Sequence, residues 1–206
     1  MRTLPSPPPA AGAAVLHAWR HAPARNAAGR CIGRTDLPID PRRAKRLAHR
    51  IRAFARRNGL PRIVVTSPLR RCRATGRWLA RWGWQHRVDA LLREIDFGHW
   101  DGLPWSAIPR AEFDSWCADF AHAAPAGDGE PVAALLQRVR GFDPGPARIV
   151  VTHGGWLSAA RWLEQDPAPP QHARQWPATP RHGSRCELPL HLFVSPGEGD
   201  PRDGMV

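Results

Sequence analysis

The chain reads as an α/β protein: a three-layer αβα sandwich with a mostly parallel central sheet and a small helical cap. Two observations predict this. Three short apolar runs, Ala13-Ala14-Val15-Leu16, Ile63-Val64-Val65 and Ile149-Val150-Val151, stand between stretches of helical spacing. Strands that alternate with helices build right-handed βαβ units with helices on both faces of a sheet. In addition, Arg62-Ile63-Val64-Val65-Thr66-Ser67 and Arg148-Ile149-Val150-Val151-Thr152-His153 are nearly the same hexapeptide, as two central parallel strands with like packing needs would be.

In order along the chain, residues 1–12, of Pro and Ala, are expected to form a disordered leader and 13–206 a single domain. Ala13 to Trp19 is the first strand, and 20–40 is a loop bearing Gly and Pro. Pro41 to Asn58 places Ala44, Leu47, Ala48, Ile51, Phe54 and Ala55 on one helical face and stops at Asn58-Gly59, a helix terminator. Arg62 to Thr66 is a strand, and Leu69 to Trp82 is a helix ended by Gly83. Val88 to Leu92 reads as a short strand, and Arg93 to Gly102 as a loop. Helical stretches near 111–121 and 131–140 flank a Pro- and Gly-rich break at 123–131. Arg148 to Thr152 is a central strand and Trp156 to Glu164 lies in the next helix. Residues 166–184 are Pro-rich and irregular, and Cys186 to Val194 alternates enough to be a final edge strand. The 93–131 region is expected to cap the sheet edge.

A chain of 206 residues is long enough for one sizeable domain with its own core. The formal net charge of +12 invites a nucleic-acid reading. Only Lys45 is lysine, however, and the chain is rich in Ala and Pro with no Tyr, a pattern of codon bias that raises arginine everywhere. With the arginines spread over helices and loops and no basic tail, nucleic acid is not the expected partner. Cys31, Cys72, Cys117 and Cys186 stand far apart with no C-x-x-C pair, which fits neither a zinc ribbon nor a disulfide framework but reduced thiols in a cytoplasmic protein. The first residues are too Pro-rich for a signal peptide. No run approaches the roughly 20 apolar residues of a membrane span. The expectation is a soluble, cytoplasmic monomer or homodimer without membrane contact.

Each central strand delivers polar residues just past its C-terminal end: Arg20-His21, Ser67 to Arg71, and His153-Gly154-Gly155. In open α/β sheets that edge is where ligands bind. A lone histidine there is more often structural. A strand-end arginine beside it is costly to bury unless an anion arrives, and Arg71 adds a planar fork suited to phosphate oxygens. The glycines after His153 open a helix whose N–H groups and dipole point the same way. Glu94, in a loop with Gly98 and Gly102, would ordinarily be solvated. Beside a phosphate pocket it is placed to protonate a leaving oxygen. The set reads as a phosphoryl site with a histidine nucleophile and no metal.

Five segments in order carry a resemblance to the histidine phosphatase superfamily, the phosphoglycerate mutase-like fold. They are Arg20-His21, Gly33 to Pro38, Ser67 to Thr75, Glu94 to Gly102, and Val151 to Gly155. The resemblance implies that His21 becomes phosphohistidine, and that Arg20, Arg71 and His153, with Gly154, bind the phosphoryl oxygens. It makes Glu94 the general acid and then the base for water, with no cofactor. Arg71 rather than Arg70 fills the motif position, and Arg70 is expected to face solvent. Three departures stand out. Ala22-Pro23-Ala24 follows the histidine in place of Gly and Glu-Thr, so the turn needs an ordinary φ. Asn26 is offset by one from a phosphate-binding Asn, and is carried as a candidate substrate contact. Asp101 replaces the usual Glu. A closer resemblance, through Gly29 to Asp36, Phe97 to Trp105, Phe113 to Trp116 and Gly127 to Glu130, is to alpha-ribazole phosphatases of cobalamin biosynthesis. It implies hydrolysis of a small-molecule phosphomonoester, alpha-ribazole 5′-phosphate.

The alternatives differ in what they demand. A mutase-like phosphotransferase needs a bisphosphate primer and extra cations, and a broad-specificity phosphatase needs neither. A non-catalytic phosphate-binding module binds anions without turnover, and a nucleic-acid binder loses affinity steeply with salt. Trp78, Trp82 and Trp162 fall at helical positions that suit packing. Trp100, Trp105 and Trp116 are placed to wall an aromatic substrate. The remaining histidines, His182 among them, show no partner pattern.

Overall fold

The computed structural model describes residues 14–193; the leader expected over 1–12 lies outside the described residues. Five strands form one sheet: β1 (Val15–Arg20), β2 (Ile63–Thr66), β3 (Gln85–Val88), β4 (Ile149–Thr152) and β5 (Arg185–Pro189), in the order β3-β2-β4-β1-β5. All neighbours are parallel except β5, which runs antiparallel to β1 along the edge. The β-branched runs of β2 and β4 lie in the middle of the sheet, and β4 is buried along its whole length, the pattern of a strand covered on both faces.

The covering layers follow from period-2 alternation. Ile149 and Val151 of β4 face one way, with Trp19 and Val64, against Leu47, Ala48 and Ile51 of α1 (Pro41–Arg57) and Leu79 of α2 (Arg70–Arg81). Val150 faces the other way, with Leu16, Ala18 and Val65, against Leu135 and Leu136 of α4 (Val132–Arg140) and Trp156, Leu157 and Ala160 of α5 (Gly154–Leu163). This is the three-layer sandwich the sequence predicts. Helix α1 starts where Pro41 fits the first helical position and the Asp40 side chain accepts from the amide of Arg42 at 2.8 Å.

Two strand positions need correction. The strand expected over Val88–Leu92 is Gln85–Val88, and Ala90–Leu92 is a 3₁₀ turn whose preceding Asp89 accepts from Leu91 N–H. β3 is an edge strand with three of its four residues exposed, so its sequence lacks the apolar signal of a buried strand. The last strand stops at Pro189, and Leu190–Phe193 turns as 3₁₀; Val194 lies outside the described residues. With 3₁₀ turns at 98–100 and 105–107 and the short α3 (Arg110–Ala118), the 93–131 region forms a cap whose small core of Trp100 and Ile108 takes in Cys31 from the 20–40 loop.

The two faces of α1 test this layering. Ile51 is fully buried, so Ile51→Ala should lower unfolding free energy by about 2–5 kcal/mol in urea denaturation, whereas Arg46→Ala, on the exposed face of the same helix, should leave the midpoint nearly unmoved.

Candidate active site

Register makes the site. β4 lies between β1 and β2, with Arg20 opposite Thr152 and Thr66 opposite Val151, so the three parallel strands end within one residue of one another. The residues that follow, His21, His153 and Ser67, leave the sheet side by side. The His21 and His153 rings stand 5.1 Å apart, edge to face.

His21 is 5% exposed, and its Nδ1 lies 2.8 Å from the carbonyl of Ala22. A carbonyl only accepts, so Nδ1 carries the proton and Nε2 keeps its lone pair. Burial, and then the charge of Arg71, hold this imidazole well below its ordinary range. A neutral imidazole with a free Nε2 is what nucleophilic attack on phosphorus requires. Ala22 takes an ordinary φ: the non-glycine residues at positive φ among those described are Asn26 and Ala126.

Arg71 is 1% exposed and held from three sides. Its Nε donates to His153 Nδ1 at 3.1 Å, Nη1 to the carbonyl of Thr35 at 2.8 Å and Nη2 to that of Gly33 at 2.6 Å. Three of its five N–H groups are used, so two remain for a ligand. Asp101 fixes the same loop from the other side, accepting from the amides of Gly33 at 3.0 Å, Thr35 at 2.8 Å, and Arg34. The shortened carboxylate at this position thus has a definite task.

His153 is wholly buried with both ring nitrogens engaged. Nδ1 accepts from Arg71, so Nε2 donates to the Ser67 hydroxyl at 2.8 Å. Donation to an oxyanion therefore requires exchange of that hydroxyl. Cys72 packs beside it, with Sγ 3.4 Å from His153 Nε2, and burial pushes this thiol well up. Arg20 donates through Nη1 to Pro180 O at 2.7 Å, while its buried Nε finds no partner among the described residues. Burial lowers Arg20 and the charge of Glu94 opposes that shift.

Glu94 is 7% exposed and seated on the start of α5, where it accepts from the amides of Gly155 (3.1 Å) and Trp156 (3.2 Å), and from that of Ile95 (3.1 Å). Its backbone is clamped by Arg138, which donates to the carbonyls of Leu91, Arg93 and Glu94 while gripping Glu130 through two bonds of 2.7 Å. The glycines after His153 are required by close approach. A Cβ on Gly154 would come 2.4 Å from Thr179 Cγ2, and one on Gly155 2.5 Å from Glu94 Oε1.

Arg20, His21, Arg71, Glu94, His153 and Gly154 thus meet at one edge. Asn26 does not: it stands in an exposed turn at φ 59, and no hydrogen bond ties it to this group among the described residues. Arg70 faces solvent, as expected from the motif. His182, which carries no sequence signal, brings its ring to 5.2 Å from His21, and burial with the charges of Arg20 and Arg71 brings it down to about 4. The 166–184 segment borders the site through Thr179, Pro180 and His182.

A cavity of about 510 Å³ opens beside the cluster. Arg20, Glu94 and Gly154-Gly155 form its polar end, and Phe97, Trp105, Phe113, Trp116, Phe120 and Trp176 its walls. Of the tryptophans expected there, Trp100 is displaced: it is 1% exposed, behind the wall, with Nε1 donating to Glu112 at 3.0 Å.

A family model described as "Histidine phosphatase superfamily (branch 1)" matches residues 16–182. No curated protein matches the chain. Among solved structures, "Mycobacterial hydrolase 1" is 28% identical at a TM-score of 0.67, with 89% of this chain and 94% of that one covered. A mycobacterial glucosyl-3-phosphoglycerate phosphatase solved with VO3 is 26% identical at a TM-score of 0.65, covering 85% and 90%. TTHB049 from Thermus thermophilus is 29% identical at 0.58, covering 84% and 92%.

Because His21 and His153 are both held below their ordinary range, the unfolded chain takes up protons near pH 6.5 that the folded one refuses. Stability should therefore be level between about pH 7 and pH 8 and fall as pH drops from 7 to 5.5, a slope in Tm that His21→Asn reduces. Gly155→Ala should displace Glu94 and lower kcat/KM for a phosphomonoester by on the order of a hundredfold, with a smaller effect on Tm.

Proposed function

We propose that this chain, which belongs to the histidine phosphatase superfamily, is a metal-independent phosphomonoesterase that hydrolyses alpha-ribazole 5′-phosphate, in the assembly of the cobalamin nucleotide loop. His21 Nε2 attacks phosphorus as the bond to the ribose 5′ oxygen breaks. Arg20, the two unused N–H groups of Arg71 and the N-terminus of α5 stabilise the charge on the equatorial oxygens. Glu94, in its acid form, gives its proton to the leaving oxygen. It then takes one from the water that attacks phosphohistidine, releasing phosphate and restoring neutral His21. His153 orients Arg71 and, on exchange with Ser67, adds a donor.

The observation that carries the substrate reading is the aromatic-walled cavity. A benzimidazole bonded to ribose offers a flat apolar face to Phe97, Trp105, Phe113 and Trp116. A phosphoglycerate-type substrate brings a carboxylate, and Arg20 is the only cation among the described lining residues. That disfavours the mutase-like alternative. The gathering of nucleophile, cations and carboxylate at one edge argues for turnover rather than anion binding alone.

The test is phosphate release from alpha-ribazole 5′-phosphate in EDTA, for the wild type and His21→Ala. The expected result is rapid release by the wild type and none by the variant. Inert alpha-ribazole phosphate together with His21-dependent hydrolysis of nitrophenyl phosphate would remove the substrate and leave the class; turnover retained in the variant would remove the mechanism.

A further inference from the structure

The segment from Pro41 to Val88, which forms α1, β2, α2 and β3, holds 15 of the chain's 30 Lys and Arg residues and none of its 18 Asp and Glu residues. The rest of the chain carries 15 cations against 18 acids, so the whole positive excess belongs to one side of the sandwich. The arginines are concentrated in one stretch of the sequence, and the fold lays that stretch on one side of the sheet, so the sequence-based objection to nucleic acid falls away. Codon bias exchanges lysine for arginine; it does not delete Asp and Glu from 48 consecutive residues.

Thirteen of these cations are exposed, and among the described residues only Arg87 has a carboxylate within ion-pair distance, Asp89 at 3.7 Å. Like charges crowded on one layer work against the folded state unless an anion lies across them. The layer also has shape. One groove of about 320 Å³ is lined by Arg70, Arg77, Trp78 and Arg81, and a second of about 260 Å³ by Arg52, Arg56, Arg62 and Trp82. The two indoles, 6.1 Å apart, lie under cations: Lys45 Nζ is 5.0 Å and Arg81 Cζ 4.9 Å from Trp78, and Arg52 Cζ is 4.6 Å from Trp82. A guanidinium braced on an indole is a flat platform on which a base stacks.

We propose that the α1–α2 face binds single-stranded nucleic acid, with phosphates in the arginine-lined grooves and bases stacked on the arginine–tryptophan pairs. Grooves that track a backbone, interleaved with stacking platforms, suit a single strand. A membrane surface suits them less, because α1 and α2 expose no large apolar side chain to enter lipid. The surface lies on the layer opposite α4 and α5 and is separate from the aromatic cavity, so it stands whichever phosphomonoester the site takes.

The test is anisotropy of a labelled, mixed-sequence single strand of about 20 nucleotides, as DNA and as RNA, titrated with the full chain across a salt series. Lys45→Glu/Arg77→Glu/Arg81→Glu should weaken binding at least about tenfold and reduce the salt slope by about 2, roughly 0.7 for each phosphate no longer neutralised, with Tm not lowered and nitrophenyl phosphate hydrolysis unchanged. Arg52→Lys/Arg77→Lys/Arg81→Lys keeps the charge and removes the planes; it should weaken the oligonucleotide while leaving inorganic polyphosphate unaffected. The proposal is overturned by absence of binding near about 0.1 M salt, by affinity unchanged in the Glu variant, by equal effects of the Lys variant on oligonucleotide and polyphosphate, or by preference for phosphatidylglycerol vesicles.

Discussion

The buried guanidinium of Arg71 is the constraint around which the site is arranged. It sits almost without solvent, and its three hydrogen-bond partners are neutral: two carbonyls and a histidine nitrogen. An arginine in that position stays compatible with folding only if its donors are satisfied and its charge is left for something that comes later. Each neighbour follows from this. Asp101 immobilises the loop whose carbonyls receive the guanidinium; His153 is turned to accept from it and so donates to Ser67; and the positive charge adds to burial in keeping His21 neutral. The same group that calls for an anion thus helps to hold the neighbouring imidazole with a free Nε2.

Glu94 is positioned by a different device. Its carboxylate rests on the amides at the start of α5 and its backbone hangs from Arg138, itself locked to Glu130. The two networks are joined by Arg34, whose amide is held by Asp101 and whose side chain donates to the Glu94 carbonyl at 3.2 Å and to Glu130 at 3.5 Å. The sheet carries His21 and His153, and the cap and α4 carry Glu94. The aromatic wall of the cavity comes mainly from the cap.

The central strands are legible in the sequence because a strand covered on both faces must be apolar throughout, and β2 and β4 repeat that solution almost residue for residue. β3 escapes such a reading because Gln85-His86-Arg87-Val88 lies at the edge, where nothing forces a pattern. α3 has no buried residue and so a weak signature. In the site, the residues at strand ends, Arg20, His21 and His153, can be read because topology alone sends them to one place. Asp101 and His182 cannot, since their roles arise from loops returning over distances that spacing does not encode. Asn26 shows the converse: near the nucleophile in sequence, it stands in a solvent-facing turn. The charge pattern misleads for another reason: the cations are concentrated in residues 41–88, which a count over the whole chain hides.

The strand order has a consequence for how the molecule comes together. β1 and β2, formed first in the chain, are not neighbours: β4 lies between them, so they stand two strand spacings apart, about 10 Å. Until residues 149–152 arrive there is no ladder to join them, no imidazole for Arg71 and no partner for Ser67. Assembly is thus dominated by contacts between remote parts of the chain, which slows folding and leaves apolar strand faces open meanwhile. The last parallel strand to be made is the keystone, and the site exists only once it is in place.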